Sequence, residues 1–369
     1  MVIFLISVGA IGILIFILPY LLISATPFSQ PSGEWHVGTS NLIWDKPDLP
    51  GIIAKVWYPT DVKHNTLSPY IDNIDLTFSA LTAGMNLLFK FIFNKRYFDW
   101  IQIPASIGAI PANSDDGFPV ILFSPGLGGI SFLNTFYALE FASHGFIVIG
   151  IDHPGSCACS ILSDGNWIGN DEVTKELLKD PNRKLEQLFG KIISQQSRHI
   201  STIIDKLMNL NSSSDSLLYQ RINLNKIFCA GHSSGGAASF ISCGKDLRIS
   251  KAINLDGYFL DVEETNYVGK ELLLIQSDRD RYPKNKALRS KYGCDLSFAK
   301  DKERIEQFYV KAKLKQIVMQ SSDHLNFCDI PLIINPAFGK AIGFTGDVDG
   351  CKLLKETAAI AIEFFNRET

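Results

Sequence analysis

The chain has 369 residues, of which 46% are hydrophobic and 20% charged, with 35 Lys and Arg set against 38 Asp and Glu. That is ample for a large core in one α/β domain. A net charge of -3 with no basic block argues against nucleic acid as a partner. Seven cysteines (Cys157, Cys159, Cys229, Cys243, Cys294, Cys328 and Cys351) match no zinc spacing, and their odd number leaves at least one thiol unpaired. Cys157 and Cys159 stand too close for a usual metal knuckle and read as small loop or core residues.

Val2 to Ile23 carries no charged side chain across 22 residues, about what a helix needs to span a bilayer. No polar face interrupts it, so a buried core helix fits poorly. The run predicts a membrane-inserting segment, either an uncleaved anchor or a signal peptide ending near Ile23-Ser24-Ala25. The organisation expected is a segment 1–25 that anchors or exports the chain, followed by one folded domain over 26–369. Neither flank has the clustered Lys or Arg that would set an orientation.

The polar stretch from Thr26 to Trp35 reads as a tether. Gly51–Thr60 alternates and predicts a strand. Leu76–Trp100 is rich in large apolar residues and ends in a basic-aromatic cluster, reading either as an interfacial helix or lid or as a helix packed on the core. From Pro119 onward strands and helices take turns. Strands are expected at Pro119–Ser124, Phe146–Asp152, Lys226–Gly231, Lys251–Asp256, Glu271–Asp278 and Lys315–Gln320. Helices are expected at Ser131–Ser143, Ile192–Leu210, from Ser234, and at Lys352–Phe365. Short, nearly all-apolar strands separated by helices predict a parallel sheet covered on both faces.

Gly231-His232-Ser233-Ser234-Gly235 is a G-x-S-x-G pentapeptide between an apolar strand and a helix-compatible segment. A serine hydroxyl becomes nucleophilic only when a base takes its proton and a carboxylate orients that base. In a strand–elbow–helix fold of this kind the order along the chain is Ser, acid, His. Of the seven histidines only His324 follows Ser233, just past the final strand, so it is the candidate base. The acid stays open. Asp278 or Asp280 fits the usual placement, one strand further on, and Asp256 ends the strand after the nucleophile. Two backbone amides should hold the oxyanion, one from Ser234 and one from Leu127 in the glycine loop Ser124–Gly129. Neither metal nor organic cofactor is needed.

The segments LFSPGLGG, GFIVIGIDH, GHSSGG, NLDGYF, DHLNFCD and GDVDG occur in the order seen in plasma-type (group VII) platelet-activating-factor acetylhydrolases, and the chain resembles that family from about Gly51 to Phe365. The resemblance implies an α/β-hydrolase, a calcium-independent lipase that removes short or oxidised acyl chains from the sn-2 position of phospholipids. It assigns Ser233 as nucleophile, Asp256 as acid, His324 as base, and Leu127 and Ser234 as oxyanion donors. Two positions depart from the pattern: Pro125 stands where the animal enzymes often have histidine, and Ser234 replaces a frequent aromatic. Both border the acyl pocket. The expected partners are a phospholipid or other lipid ester and a lipid surface, with no protein partner predicted. The alternatives are a general carboxylesterase or polyester hydrolase, and a catalytically dead membrane-tethered binding module.

Overall fold

The computed structural model describes residues 28–44, 51–63, 67–83, 98–170, 185–257, 266–278 and 312–368, with Ile23, Lys90, Lys95, Glu303, Ile305 and Glu306 between them. Nine strands form one sheet: β1 (His36–Trp44), β2 (Ile52–Thr60), β3 (Ser106–Ile107), β4 (Phe118–Ser124), β5 (Ile147–Asp152), β6 (Ile222–His232), β7 (Ile249–Leu255), β8 (Glu271–Ser277) and β9 (Lys313–Met319). Their spatial order is β9-β8-β7-β6-β4-β5-β2-β1-β3. From β5 to β9 every pairing is parallel, whereas β2 runs antiparallel to both β5 and β1.

Side chains alternate across each strand, and this divides the core into two layers. Ile121, Phe123 and Val148 face one layer with Phe136, Phe141 and Phe365. Those aromatics come from α2 (Thr135–Ser143) and α7 (Gly350–Asn366). Val120, Leu122 and Ile149 face the other layer with Ile200, Ile203, Leu207 and Phe240. These belong to α3 (Leu185–Ser212) and α4 (Ser234–Lys245). Shorter helices are α1 (Ile74–Thr82), α5 (Ile330–Ile333) and α6 (Pro336–Ala341). From β4 to β8 the expectation of parallel, covered strands holds, whereas β2 is as buried yet antiparallel and the edge strand β9 is partly exposed.

One expectation needs correction. Part of the supposed tether is docked. Ser32 donates through its hydroxyl to Glu140 at 2.6 Å, the Gly33 amide donates to Ser143 Oγ at 3.1 Å, and the Trp35 amide donates to the Ser143 carbonyl at 3.0 Å. Phe28 packs on the core, and the Trp35 ring meets Phe118 edge-on at 5.5 Å. The following strand β1 is absent from the sequence reading because Gly38 and Asn41 weaken its pattern. Gly38 is there to admit the Tyr58 ring, since a Cβ at that position would stand 2.3 Å from Tyr58 Cε2.

In the Leu76–Trp100 stretch, the described part supports packing on the core: Phe78 and Phe98 lie against it with rings 5.2 Å apart. Residues 84–89, 91–94, 96 and 97 lie outside the described residues. So does almost all of the N-terminal apolar run, residues 1–22. Among the described residues no helix is long and apolar enough to cross a membrane. Cys294 is also outside them, and the other six cysteines are free thiols.

Candidate active site

β6 runs into Ser233 and α4 starts at once. Ser233 has φ 57° and ψ -124°, a conformation that L-residues rarely adopt and that turns its side chain out of the strand line. The Ser233 amide is fixed by donating to the Leu255 carbonyl at 2.9 Å. The turn closes because Gly231 and Gly235 lack side chains. A Cβ on Gly235 would stand 2.1 Å from the Ser124 carbonyl oxygen, and one on Gly231 would stand 2.4 Å from the Gly235 backbone. Those two glycines let α4 sit directly on the end of β4.

His324 opens a 3₁₀ turn, His324–Phe327, after β9. Its amide donates to Asp323 Oδ1 at 2.7 Å, and Asn326 Oδ1 accepts from the amides of Asp323 at 2.8 Å and Gly346 at 2.7 Å. His232 Nε2–H donates to the His324 carbonyl at 2.9 Å, with the two rings 4.6 Å apart. Burial, with His324 beside it, lowers the His232 pKa to about 3, so this ring stays neutral at physiological pH.

The structure brings Ser233, His324 and Asp256 into one hydrogen-bonded line. His324 Nδ1 is 2.7 Å from Asp256 Oδ2, and His324 Nε2 is 3.0 Å from Ser233 Oγ. A carboxylate at Nδ1 requires the proton there, which leaves Nε2 free to accept from the serine hydroxyl. Asp256 is buried at φ 52°, and Ser277 holds its carboxylate from behind. The Ser277 amide donates to Oδ1 at 2.9 Å, and its hydroxyl lies 2.9 Å from each oxygen. Asp278 has a different occupation, accepting from the Ser321 amide at 3.1 Å. Asp280 lies outside the described residues.

The loop after β4 passes over Ser233. A Cβ on Gly126 would stand 2.9 Å from Ser233 Cβ and 3.5 Å from Ser233 Oγ. Leu127 follows directly, and among the described residues its amide has no protein acceptor. Ser234, as the first residue of α4, has no intrahelical acceptor for its amide either. The sequence reading missed Ser277, His232, Asp323 and Asn326. Ser277 and His232 work through contacts between segments far apart in the chain, which spacing does not reveal, whereas Asp323 and Asn326 form a local cap on the His324 turn.

At the far end of the same loop, the Ser131 amide donates to Asp152 Oδ1 at 2.7 Å. Burial pushes the Asp152 pKa up to about 7, against the pull of the Ser131 hydrogen bonds and of Lys55. A raised folded-state value means that stability is fullest below the unfolded value near 4 and is lost as pH rises through 7. Asp152→Asn keeps an acceptor for Ser131 but does not ionise. Its melting temperature is expected to gain on the wild type between pH 5 and pH 8, by on the order of 2–4 kcal/mol of stability. Parallel pH profiles of the two proteins would contradict this.

A serine on a strained strand-to-helix turn, bonded to a histidine beyond the last strand, with a carboxylate behind it, is the arrangement of an α/β-hydrolase with an ester-cleaving serine. The chain belongs to the family described as platelet-activating factor acetylhydrolase, isoform II, whose model matches residues 22–369. The platelet-activating factor acetylhydrolase of Canis lupus familiaris is 25% identical over 342 residues, covering 86% of this chain and 72% of that one. A probable 1-alkyl-2-acetylglycerophosphocholine esterase of Arthroderma benhamiae is 26% identical over 257 residues, covering 68% and 60%. Among solved structures, a ferulic acid esterase from Streptomyces cinnamoneus shares the fold with a TM-score of 0.68 at 20% identity, covering 94% of this chain and 93% of that one.

Proposed function

We propose that this protein hydrolyses the sn-2 ester of phospholipids that carry a short or oxidised acyl chain. The observation that carries the reading is the Ser233–His324–Asp256 line in a chain of this family. Ser233 Oγ attacks the ester carbonyl as His324 Nε2 takes its proton, and Asp256 stabilises the imidazolium. The amides of Leu127 and Ser234 hold the oxyanion of the tetrahedral intermediate. His324 then returns the proton to the leaving lysophospholipid oxygen. Water, deprotonated by the same ring, releases the acyl group and restores Ser233.

Residues 1–25 serve in this reading as a membrane anchor or export signal that brings the enzyme to a lipid surface. The uncharged run from Val2 to Ile23 supports this.

The test is hydrolysis rate against sn-2 chain length for protein lacking residues 1–25, with Ser233→Ala as the blank. Rapid cleavage of acetyl and oxidised chains with little action on long ones is the expected result. Equal rates on simple esters with no phospholipid activity would mean a general carboxylesterase. Rates no higher than the blank throughout would mean a binding module.

A further inference from the structure

The segment Asp152-His153-Pro154-Gly155-Ser156 takes no part in the chemistry above, yet it holds the oxyanion loop at three places. Where the loop leaves β4, His153 Nε2 lies 3.0 Å from Ser124 Oγ, both groups being wholly buried. In the middle, the Gly128 amide donates to the Ser156 carbonyl at 2.8 Å. At the exit, the Ser131 amide donates to Asp152 Oδ1.

The segment is itself fastened to α3. His153 Nδ1 lies 3.2 Å from His199 Nδ1, with the two rings stacked at 5.4 Å. Gln195 Nε2 donates to the Pro154 carbonyl at 3.1 Å, and Gln196 Nε2 donates to Ser156 Oγ at 3.3 Å.

The physical need for such a support is plain. Gly126, Gly128 and Gly129 give the loop little side-chain packing of its own. An oxyanion donor, however, is effective only when its amide is aimed before charge develops, and the supporting shell sets that aim. Burial keeps both imidazoles neutral, His153 well below its usual range and His199 at about 4. A single proton between the two Nδ1 atoms therefore satisfies the pair at neutral pH.

We infer that Asp152–Ser156 is a three-point clamp that positions the oxyanion loop, with His153 as a positioning residue acting on Leu127 through Ser124. The inference rests on the reading of Ser233 and Leu127 given above.

Two substitutions at one site separate this role from general packing. In His153→Gln the amide nitrogen reaches the place of Nε2 and keeps the contact with Ser124. In His153→Asn it reaches only the place of Nδ1 and keeps the contact with His199. Turnover of a soluble acetyl ester and the rate of fluorophosphonate labelling are measured alongside melting temperature. His153→Asn and Ser124→Ala are expected to lower kcat by about 10- to 100-fold, part of what losing an oxyanion donor costs. KM should stay within about twofold, and labelling should slow in parallel. His153→Gln is expected to retain most of the wild-type kcat.

Equal losses in the Gln and Asn variants would overturn the clamp. So would an unchanged kcat in Ser124→Ala, which removes one hydroxyl and is the gentlest change of the set. If Ser233→Ala itself remained active, the fault would lie with the proposed function and not with the clamp.

Discussion

Asp256→Asn is expected to lower kcat by about 10⁴-fold, the scale seen when a triad carboxylate becomes an amide and the histidine takes the wrong tautomer. Asp278→Asn is expected to leave kcat within about threefold, because its loss concerns one loop hydrogen bond worth about 1 kcal/mol. The contrast follows from position. Asp256 Oδ2 lies 2.7 Å from His324 Nδ1, while Asp278 accepts from the Ser321 amide. An asparagine at 256 can present either its oxygen or its nitrogen to the ring. Ser277 donates to this carboxylate through its amide and meets it again with its hydroxyl, and those contacts favour an acceptor oxygen on their side. The amide nitrogen is then turned toward His324, where it drives the proton to Nε2 and abolishes the base. Single-turnover kinetics with an activated ester would measure both variants. A larger loss in Asp278→Asn would move the acid to the next strand.

Gly235→Ala is expected to remove activity by more than about 100-fold and to destabilise the fold by about 3 kcal/mol, the upper part of the usual overpacking range. The added methyl would stand 2.1 Å from the Ser124 carbonyl and 2.5 Å from the Pro125 carbonyl, which are backbone atoms with nowhere to turn. Relief requires α4 to lift from β4. That motion carries the Ser234 amide away from the Leu127 loop, so stability and turnover fall together. Urea denaturation and kcat measured on the same preparation would check the pairing. A variant that kept its turnover would show that the helix start has room that the geometry denies.

The sheet was largely legible because its central strands are apolar on both faces and its helices carry a clear 3.6-residue period, as in Ile200, Ile203, Ile204 and Leu207. Ser233 and His324 were legible for a different reason. Glycines at 231 and 235 mark a close approach of backbones, and His324 alone follows the elbow. Pattern could not separate Asp256 from Asp278, since both close a buried strand. The family resemblance chose Asp256, and in space it is Asp256 that meets Ser277 and His324. Strand β1 escaped because Gly38 leaves room for a ring from β2 and so erases the alternation. The docking of Ser32, Gly33 and Trp35 escaped because polar and small residues that bind a helix end look the same in sequence as those that bind nothing. The clamp at Asp152–Ser156 escaped on the same ground.

Ser233 and Asp256 both hold positive φ, at 57° and 52°, in a region that glycine enters freely and other residues enter at a cost of about 1–3 kcal/mol each. Strain is thus stored at the two positions that the proposed chemistry can least exchange. A screen of random variants for heat resistance alone would reward glycine at 233 and return tougher but idle proteins, whereas glycine at 256 would strip Ser277 and His324 of a buried acceptor. Robustness has to be sought elsewhere in the sheet and helices, with the elbow left untouched.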